Sequence, residues 1–517
     1  MNIPLPDRPV LVVGAGPTGL MLALELVRHG IAPRIIDARP GPSPLSRALV
    51  VHARTLELLD RHGLAEAFGR QGQLVAGLNL RIRGRVVAHV PLGRIGATLS
   101  PFPYLLIVSQ DQTERLLREA LAAQGIQVEW HTELTSLQIN PPPEEGVTVQ
   151  LHQETQPETA HFRFLAGCDG ANSATRRALD IKFPGGTYKQ VFFVADTRVS
   201  GLTGNHDKER YLQVAVQPEA FYAFFPMQEQ RTRIIGVLPD GVAPEAATFE
   251  DVRPRLETSE KVKVDEVFWF STYKVHHRVA ASFQQGPVFL AGDAAHVHSP
   301  AGGQGMNTGM GDAVNLGWKL AAVLRGASSS ALLPTYSLER IPFAQKLVAT
   351  TDRAFSVATR PSKAANFGRL RILPILLPLL ARLPFMRQLV FRTVSQISIA
   401  YPDSPLSVGA ASHVDAGERL PWQADGRFEA LRPAGWHLFT VAEPSTEIKE
   451  WASLRELPLT VIRPMPAETP GTVYLLRPDG YLGLVAPQFE ETQFTAYADQ
   501  WGVGKAPFRV LSVGAMR

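Results

Sequence analysis

A strand, three glycines and a helix follow one another near the start of the chain, and this unit constrains the fold most strongly. The apolar run from Val10 to Val13 leads into Gly14, Gly16 and Gly19, spaced as G-x-G-x-x-G, and a leucine-rich helical pattern follows. The first glycine suits a tight turn, the second lets a pyrophosphate approach the backbone, and the third lets the helix pack on the strand. This order predicts a Rossmann-like unit whose helix N-terminus faces the phosphates of a dinucleotide.

The second strand of this unit, Pro33 to Ile36, ends in Asp37. Its position is close to the ~20 residues beyond the glycines at which a carboxylate accepts from a ribose hydroxyl, and it argues against a 2′-phosphate. The glycine pattern itself serves both NAD and FAD. The residues predicted to hold the dinucleotide here are Gly14, Gly16, Pro17, Thr18, Gly19, Asp37 and Ala38.

A second Gly-rich connection between a strand and a helix lies within residues 288–320. Val288 to Leu290 suit a short buried strand, Gly292 and Asp293 end it, and a helical pattern continues to Leu320. Glycines and free N–H groups at a helix start favour an anionic or electron-rich ring edge. An isolated connection of this kind is equally compatible with an ordinary turn. Together with the first unit it favours FAD over NAD, because a long ligand needs a second, distant set of contacts.

The composition indicates a globular protein of two or three domains, with 517 residues, 45% hydrophobic and 19% charged. The 52 lysines and arginines nearly balance the 48 aspartates and glutamates, which predicts no nucleic-acid partner. The single Cys168 excludes an internal disulfide and leaves too few thiols for a cysteine-based metal cluster; no metal site is predicted. We expect a cytoplasmic protein without an export signal, and the run Ile372 to Ala381 is too short and proline-rich for stable membrane insertion.

Beyond these motifs the hydrophobic pattern changes twice. Residues 189–276 show short alternating runs, typical of antiparallel strands that cover a cavity. One run contains Tyr222 and Phe224, although aromatic rows occur more often in a core than in a pocket. Turn residues predict a domain boundary near 405–412, and the segment beyond it has strand-like runs and an Arg-Pro-Asp-Gly turn at 477–480.

Four motifs follow one another along the chain: G-x-G-x-x-G, Asp169-Gly170 with Ser173 and Arg176, Gly292-Asp293, and Arg477-Pro478-Asp479-Gly480. In this order they resemble the p-hydroxybenzoate hydroxylase family, the single-component FAD-dependent aromatic hydroxylases, over nearly the whole length. The resemblance implies an α/β fold with a Rossmann-like FAD-binding domain (1–75, 105–186 and 285–365) and an antiparallel β-sheet substrate-binding domain (76–104 and 187–284). It also implies a helical connection (366–408) and a C-terminal thioredoxin-like α/β domain (409–517), as in the larger phenol and polyketide hydroxylases. That domain lacks a Cys-x-x-C motif, so its expected use is stability or oligomer contacts, such as those of a homodimer.

The resemblance also implies roles for individual residues. The family's flavin contacts correspond to Asp293 for the ribityl chain and to the backbone at Gly305, Met306 and Asn307 for the ring. Further cofactor contacts correspond to Arg39, Arg47, Gln110 and Asp169, although Asp169 and Arg176 are expected mainly as scaffold and only secondarily as nucleotide contacts. Substrate contacts correspond to Tyr222, Phe224, Pro226 and Pro300. No catalytic residue is assigned; a base that deprotonates a phenol has the candidates His52, Tyr222 and His298.

The activity implied by the resemblance is that of an NAD(P)H- and O2-dependent monooxygenase. It would hydroxylate a phenolic or polyketide-like aromatic substrate through a flavin C4a-hydroperoxide. NAD(P)H would bind without its own Rossmann unit, since no second G-x-G-x-x-G is present. Flavin-dependent halogenases share the scaffold, but their Trp-x-Trp-x-Ile-Pro signature is absent. A flavin oxidase or reductase that inserts no oxygen, and a flavin-bound sensor without turnover, stay open as alternatives.

Overall fold

A computed structural model describes residues 8–43, 48–91, 96–142, 144–153, 156–202, 210–217, 221–300, 302–359, 368–412, 414–465 and 468–504. The strands are, in chain order, β1 (Val10–Val13), β2 (Pro33–Ile36), β3 (Val50–Val51), β4 (Gln73–Val75), β5 (Gly77–Ile82), β6 (Arg85–Pro91), β7 (Leu105–Ile107), β8 (Val128–Glu129), β9 (Thr132–Asn140), β10 (Gly146–Gln153), β11 (Gln156–Phe162), β12 (Phe164–Gly167), β13 (Gly185–Ser200), β14 (Tyr211–Val216), β15 (Phe221–Pro226), β16 (Thr232–Val237), β17 (Lys263–Val279), β18 (Gln284–Gln285), β19 (Val288–Leu290), β20 (His296–Val297), β21 (Ala410–Ala411), β22 (Val414–Asp415), β23 (His437–Thr440), β24 (Leu459–Val461), β25 (Val473–Leu476) and β26 (Leu482–Ala486).

The α-helices are α1 (Pro17–Arg28), α2 (Ala53–Asp60), α3 (Ala65–Gln71), α4 (Gln110–Ala122), α5 (Ala174–Ala178), α6 (Arg253–Glu260), α7 (Gly305–Leu324), α8 (Pro334–Thr359), α9 (Leu373–Arg382), α10 (Pro384–Val394), α11 (Thr446–Leu454) and α12 (Glu491–Trp501). Across the ranges that the structure describes, no helix is both long and apolar enough to cross a membrane.

A six-stranded sheet with the order β18-β19-β12-β1-β2-β8 forms the Rossmann-like unit, and all of its neighbouring strands except β18 and β19 are parallel. Because side chains alternate along a strand, Val10 and Val12 pack under α1, α4 and α7, while Leu11 and Val13 pack under the three-stranded sheet β11-β10-β9. Burial on both faces explains why β1 is an uninterrupted apolar run. The covering sheet β9 to β11 was not among the sequence-based predictions.

A second layer, which we call the sheet unit, is an eight-stranded sheet with the order β20-β17-β13-β16-β15-β14-β5-β6. One face packs against α6, where Tyr222 and Phe224 share a core cluster with Leu256. The opposite face looks toward the Rossmann-like unit, because Phe225 packs in one cluster with Val50. Neighbours along a strand point to opposite faces, so Tyr222 and Phe224 lie in the core beneath α6. This packing is at odds with the substrate contacts expected of both residues.

Residues 410–501 contain a further sheet with the order β24-β23-β25-β26, which we call the C-terminal unit. Strands β23 and β24 are parallel, and the other two pairs are antiparallel. Its core contains Trp451 of α11 and Phe494 of α12, and it continues into the Rossmann-like unit through Trp318 of α7 and Leu332. The two units therefore share one apolar cluster.

Candidate functional site

The carboxyl ends of four parallel strands meet at one edge of the six-stranded sheet. Val13 lies opposite Ile36 and Gly167, and Gly167 lies opposite Leu290. The turns after these strands, which we call the carboxyl edge, contain Gly14, Asp37, Asp169 and Asp293. Ligands of open α/β sheets bind outside such an edge.

The two Gly-rich motifs touch each other at Thr18 of α1. A Cβ atom on Gly292 would lie 2.4 Å from Thr18 Oγ1, and one on Gly309 of α7 would lie 2.3 Å from the same oxygen. Gly292 also has a φ of +61°, a conformation that favours glycine. Motifs far apart in the sequence thus form one continuous site.

The glycines of the first turn serve two different purposes. A Cβ atom on Gly19 would lie 1.9 Å from the carbonyl oxygen of Gly14, and one on Gly14 would lie 2.4 Å from that of Cys168. These two glycines allow strand and helix to pack. Gly16 faces open space, since no described atom lies within 4 Å of the Cβ atom that it would carry. A gap for a ligand therefore lies beside the start of α1.

Two helix N-termini lie along the carboxyl edge. Helix α1 begins after Gly16 and α7 begins after Gln304, and neither of these residues makes a side-chain cap. The N–H groups of a first helical turn have no partner within the helix and carry partial positive charge. The two starts can therefore bind negative charge or electron-rich oxygen atoms at two separate positions.

Asp37 and Arg39 form one end of the carboxyl edge, next to the exposed Ala38. Asp37 accepts hydrogen bonds from the N–H groups of Ala15 at 2.8 Å and Arg39 at 2.9 Å, and from the Arg39 guanidinium. Burial alone would raise the pKa of Asp37, but these bonds lower it below its ordinary value. The Arg39 guanidinium also lies 5.8 Å from the centre of the Trp130 ring. Charge and an aromatic surface thus occur together where the sequence predicts the adenosine.

The Asp-Gly motif braces the middle of the edge. Asp169 Oδ2 accepts from the N–H and the hydroxyl of Thr175, both at 2.9 Å, whereas Oδ1 is buried without a partner among the described residues. Ser173 caps α5 by accepting from the N–H of Arg176 at 2.9 Å. Arg176 donates to the carbonyl of Ala294 at 2.8 Å, which joins this motif to the Gly292 turn. These contacts tie the Asp-Gly turn to α5 and to the Gly292 turn.

Asp293 is exposed in a short 3₁₀ turn, Gly292–Ala294, and a buried ion-pair network holds that turn in place. Asp312 of α7 accepts from the N–H of Gly292 at 3.0 Å, from His296 at 2.7 Å and from Arg340 at 2.6 Å. Burial would raise the pKa of Asp312, but Arg340 and His296 lower it to about 2. Asp312 was not predicted from the sequence, although an aspartate within an apolar helical pattern is a signal of a buried partner.

The start of α7 is fixed by Asn307. Its amide group donates to the carbonyls of Val50 and Gly303 at 2.8 and 2.9 Å, and accepts from the N–H of His52 at 2.9 Å and the hydroxyl of Thr55 at 2.7 Å. These four bonds use the full capacity of an amide side chain. The side chain of Asn307 therefore positions the turn, and only its backbone, with that of Gly305 and Met306, is free to meet a ligand.

Other predicted contact residues lie around the same turns. Gln110, the first residue of α4, accepts from the N–H of Ala48 at 3.2 Å and donates to Glu114 at 2.9 Å. Arg47 lies outside the described residues. The carbonyl of Pro300 accepts from the N–H of Gly303 at 3.0 Å, which tightens the approach to α7. Pro226 is the buried last residue of β15.

The three candidate bases lie in different surroundings. Tyr222 is under α6, and His52 Nε2 is bonded to the carbonyl of Gly302 at 2.9 Å. His298 Nδ1 is bonded to the carbonyl of Ser299 at 2.8 Å, while its Nε2 is buried and has no partner in the described part of the chain. Burial lowers the pKa of His52 and of His298 to about 4, so both rings are neutral at neutral pH.

The geometry of the carboxyl edge agrees with the family model for the FAD binding domain, which matches residues 7–351. The chain belongs to this FAD binding domain family. This chain is 32% identical to 6-methylpretetramide 4-monooxygenase of Streptomyces rimosus, and the match covers 95% of this chain and 93% of the relative. It is 30% identical to pentachlorophenol 4-monooxygenase of Sphingobium chlorophenolicum, covering 87% and 83%. The solved structure of an anhydrotetracycline hydroxylase from Streptomyces rimosus is 30% identical, with a TM-score of 0.75 and coverage of 95% and 98%.

On these grounds the protein is an FAD-dependent monooxygenase of the aromatic hydroxylase type. The residues at the carboxyl edge fit the cofactor. The gap at Gly16 has room for a ligand, and two uncapped helix starts can bind a pyrophosphate at one position and an electron-rich ring edge at the other. The buried Asp169 Oδ1 offers a free acceptor between them.

Proposed function

We propose that this monooxygenase uses NAD(P)H and O2 to hydroxylate a phenolic or polyketide-like aromatic ring. One oxygen atom of O2 enters the ring, the other leaves as water, and NAD(P)H supplies the two electrons. The contact between Thr18, Gly292 and Gly309 carries the proposal, because it joins two motifs that are distant in the sequence into one continuous site. The relatives named for a phenol and for a polyketide support this substrate class. Bound FAD would supply the oxygen activation that side chains cannot.

The cofactor would extend along the carboxyl edge. Asp37 and Arg39 would hold the adenosine end, and the backbone at Gly16, Pro17 and Thr18 would hold the pyrophosphate at the α1 start. Asp169 and Gln110 would lie along its middle, and Arg47 is a further contact expected from the sequence. Asp293 and the start of α7 would hold the flavin end, with negative charge on the ring offset by the helix dipole.

The substrate chamber would lie between the inward face of the sheet unit and the start of α7. Phe225 lies on that face and pairs with Arg233, which in turn pairs with Asp196 of β13. Phe192 lies on the same face of β13 as Asp196 and pairs with Tyr273, so Tyr273 shares the face with Phe225. Tyr188 of the same sheet donates to Asp352 of α8, and Ser299 donates to the carbonyl of Thr351 at 3.3 Å. Helix α8 would thus close the space between the aromatic face and His298.

His298 is the candidate base that this arrangement favours. Because a carbonyl only accepts hydrogen bonds, the bond to Ser299 puts the proton on Nδ1 and leaves a lone pair on the buried Nε2. The Nε2 atom lies 3.8 Å from the position of a Cβ atom on Gly305, at the start of α7. His298 would accept the hydrogen bond of a phenol, orient the ring and increase its electron density. His52 has its ring nitrogen committed to Gly302 and would instead hold the turn.

Substitution of two glycines tests the cofactor site. Gly16→Ala places a methyl group in the ligand gap at a φ of −78° that alanine adopts freely, so the free energy of unfolding should stay unchanged while FAD affinity falls at least about tenfold. Gly19→Ala is the matched control, because its methyl group would meet the Gly14 carbonyl and destabilise the fold. FAD titration and urea unfolding separate the two effects. Unchanged FAD affinity in Gly16→Ala would remove this turn from the site.

Product analysis tests the reaction. Purified protein with FAD, NAD(P)H and a panel of phenols and planar aromatic polyketides should give a product heavier by one oxygen atom. His298→Leu should lower kcat by roughly 100-fold with FAD content unchanged, whereas His298→Gln, which keeps an acceptor, should lose less. NAD(P)H oxidation without oxygen incorporation for any substrate would favour the oxidase alternative, and no NAD(P)H oxidation would favour the sensor.

We propose a domain division that corresponds to the Rossmann-like unit, the sheet unit and the C-terminal unit. The sheet unit would bind the substrate, and the boundary to the last domain would lie near 405–412. We also propose that the C-terminal unit is thioredoxin-like. In its favour, the order β24-β23-β25-β26 with α11 after β23 and α12 after β26 is that of a βαβ unit joined to a β-hairpin and a helix. Its use would be to stabilise the Rossmann-like unit, and a homodimer would be compatible with that use.

A further inference from the structure

Helices α9 and α10, with the preceding Ile372, form a surface that we call the apolar hairpin. Eight large apolar side chains on it are 41% to 68% exposed: Ile372, Ile375, Leu376, Leu379, Leu383, Phe385, Leu389 and Val390. They are eight of the fourteen large apolar side chains that are exposed in the described part of the chain. Exposed apolar residues grouped in this way mark an interaction surface, whereas single ones are ordinary.

The exposed residues of α9 and of the two positions that flank it follow the spacing of one helix face. Positions 372, 375, 376, 379 and 383 recur every three or four residues, so their side chains form one stripe. In a globular protein such a stripe faces the core, but here it faces outward. Helix α9 rests instead on β6, the last strand of the sheet unit. The outward stripe is therefore available to a partner outside the chain.

The other end of the hairpin is anchored to the rest of the protein. A Cβ atom on Gly96 would lie 2.3 Å from the Phe391 ring, so α10 packs closely on that loop. The carbonyl of Ser395, just after α10, accepts from the N–H of Arg54 at 3.2 Å. The hairpin is thus held at β6 and at α2, and its apolar side projects from a fixed base.

The chain segment that contains the hairpin carries charge of only one sign. Between Asp352 and Asp403 the sequence contains no aspartate or glutamate, but eight basic residues: Arg353, Arg360, Lys363, Arg369, Arg371, Arg382, Arg387 and Arg392. The segment alone carries a charge of +8, whereas the whole chain carries +4. Two of these residues that the structure describes, Arg371 and Arg392, are exposed at the two ends of the hairpin. An apolar face flanked by arginine complements a surface that is both apolar and anionic.

We propose that the apolar hairpin docks the enzyme on the surface of an anionic lipid bilayer. The exposed leucine, isoleucine and phenylalanine side chains would enter the boundary between headgroups and acyl chains, and the arginines would contact lipid phosphates. Helices of 10 and 11 residues are too short to span the bilayer and would lie in its plane. A second copy of the chain is a poorer occupant, because a symmetric contact would bring two wholly basic segments together. This inference does not depend on the proposed substrate.

Vesicle flotation of the full-length, FAD-loaded protein tests the proposal. Phosphatidylcholine vesicles with 30% phosphatidylglycerol, a composition of about one anionic lipid in three chosen to attract basic segments, are compared with phosphatidylcholine alone. At low salt we expect at least a tenfold greater bound fraction on the anionic vesicles, and a large reduction at about 0.5 M NaCl, where the Debye length is short. No binding to the anionic vesicles, or equal binding to both kinds, would overturn the proposal.

Surface variants locate the contact. Leu379→Glu with Phe385→Glu should abolish flotation without changing FAD content or circular dichroism, because both side chains are already exposed. Leu338→Glu and Leu454→Glu are matched controls at exposed leucines elsewhere and should leave flotation unchanged. Ile375→Glu serves as a second test variant if the double variant does not fold. A dimer in lipid-free solution that Phe385→Glu converts to a monomer would contradict the proposal and identify the hairpin as a subunit interface.

Discussion

The Rossmann-like unit meets its two neighbours through junctions of different chemistry. Both junctions contain apolar contacts, and the one with the C-terminal unit adds a network of buried charges. Toward the C-terminal unit it presents buried charges: Glu339 accepts from Lys319 at 2.7 Å and from Arg477 at 2.6 Å, and Arg477 also pairs with Asp479. All four side chains are almost completely buried. Toward the sheet unit the junction is apolar, with Phe225 of β15 packed in one cluster with Val50 and its neighbours.

The charged junction explains the Arg-Pro-Asp-Gly turn. Besides the bonds of Arg477, the carbonyl of Asp479 accepts from Arg54 at 2.9 Å and that of Pro478 accepts from Arg61 at 2.8 Å. Hydrogen-bonded charges fix distance and direction, whereas apolar contacts do not. The C-terminal unit is therefore a fixed support for α7 and α8.

The largest effect is expected from breaking the charged junction. Burial would raise the pKa of Glu339, but Arg477 and Lys319 hold it well below its ordinary value, so the carboxylate stays ionised. Arg477→Leu leaves this carboxylate and that of Asp479 without their main partner. We expect a loss of about 3–5 kcal/mol in the free energy of unfolding, measured by urea titration. A loss below about 1 kcal/mol would show that the junction is not held by these charges.

The next effect separates the two faces of the sheet unit. Phe224→Ala empties a fully buried position beneath α6 and should cost about 3 kcal/mol of unfolding free energy, with the KM for the aromatic substrate unchanged. Phe225→Ala, one residue later, should cost only about 1 kcal/mol because the ring is half-buried, but it should raise KM. Unfolding and steady-state kinetics of both variants give the comparison. A raised KM in Phe224→Ala alone would reverse the assignment of the faces.

The sequence predicted the Rossmann-like unit well because its signals are local. Val10 to Val13, Gly14 and Gly19 meet their structural requirements within a few residues, and Gly292 marks a backbone conformation that glycine favours. Each motif could therefore be interpreted before its partner in space was known. The same holds for the alternating runs that became β13 to β17.

The sequence could not show which face of β15 looks toward the Rossmann-like unit, because alternation defines two faces and does not distinguish them. Helix α6 decided it by covering Tyr222 and Phe224. Nor could it pair Asp312 with Arg340, or Glu339 with Arg477, since such pairs depend on how distant helices and turns meet. The roles assigned to Arg47, Asp293 and Pro300 stay predictions.

Acid should weaken the ligand-binding side before the charged junction. His52 and His298 have pKa values of about 4 in the folded protein because burial disfavours the charged ring, against an ordinary value of 6.5. Since the unfolded chain binds these protons first, stability should fall as the pH drops from about 6.5 to 4. The expected loss is about 2 kcal/mol per histidine at pH 5 relative to pH 8. Urea unfolding of His298→Gln should show about 2 kcal/mol less pH dependence than the original chain, and an identical dependence would contradict the argument.

The smallest effect should come from an ion pair that bridges the same two units as Arg477 but lies at the surface. Arg432 of the C-terminal unit is 3.4 Å from Asp60 of α2, and its side chain is 58% exposed. Water screens such a pair and ordering two long side chains costs entropy, so Arg432→Leu should change the unfolding free energy by at most about 0.5 kcal/mol. Both arginines bridge the same units. The difference in unfolding free energy between Arg477→Leu and Arg432→Leu therefore measures how much more a buried charge contributes to this junction than an exposed one. Equal losses would mean that bridging the units, and not the burial of Glu339 and Asp479, is what holds them together.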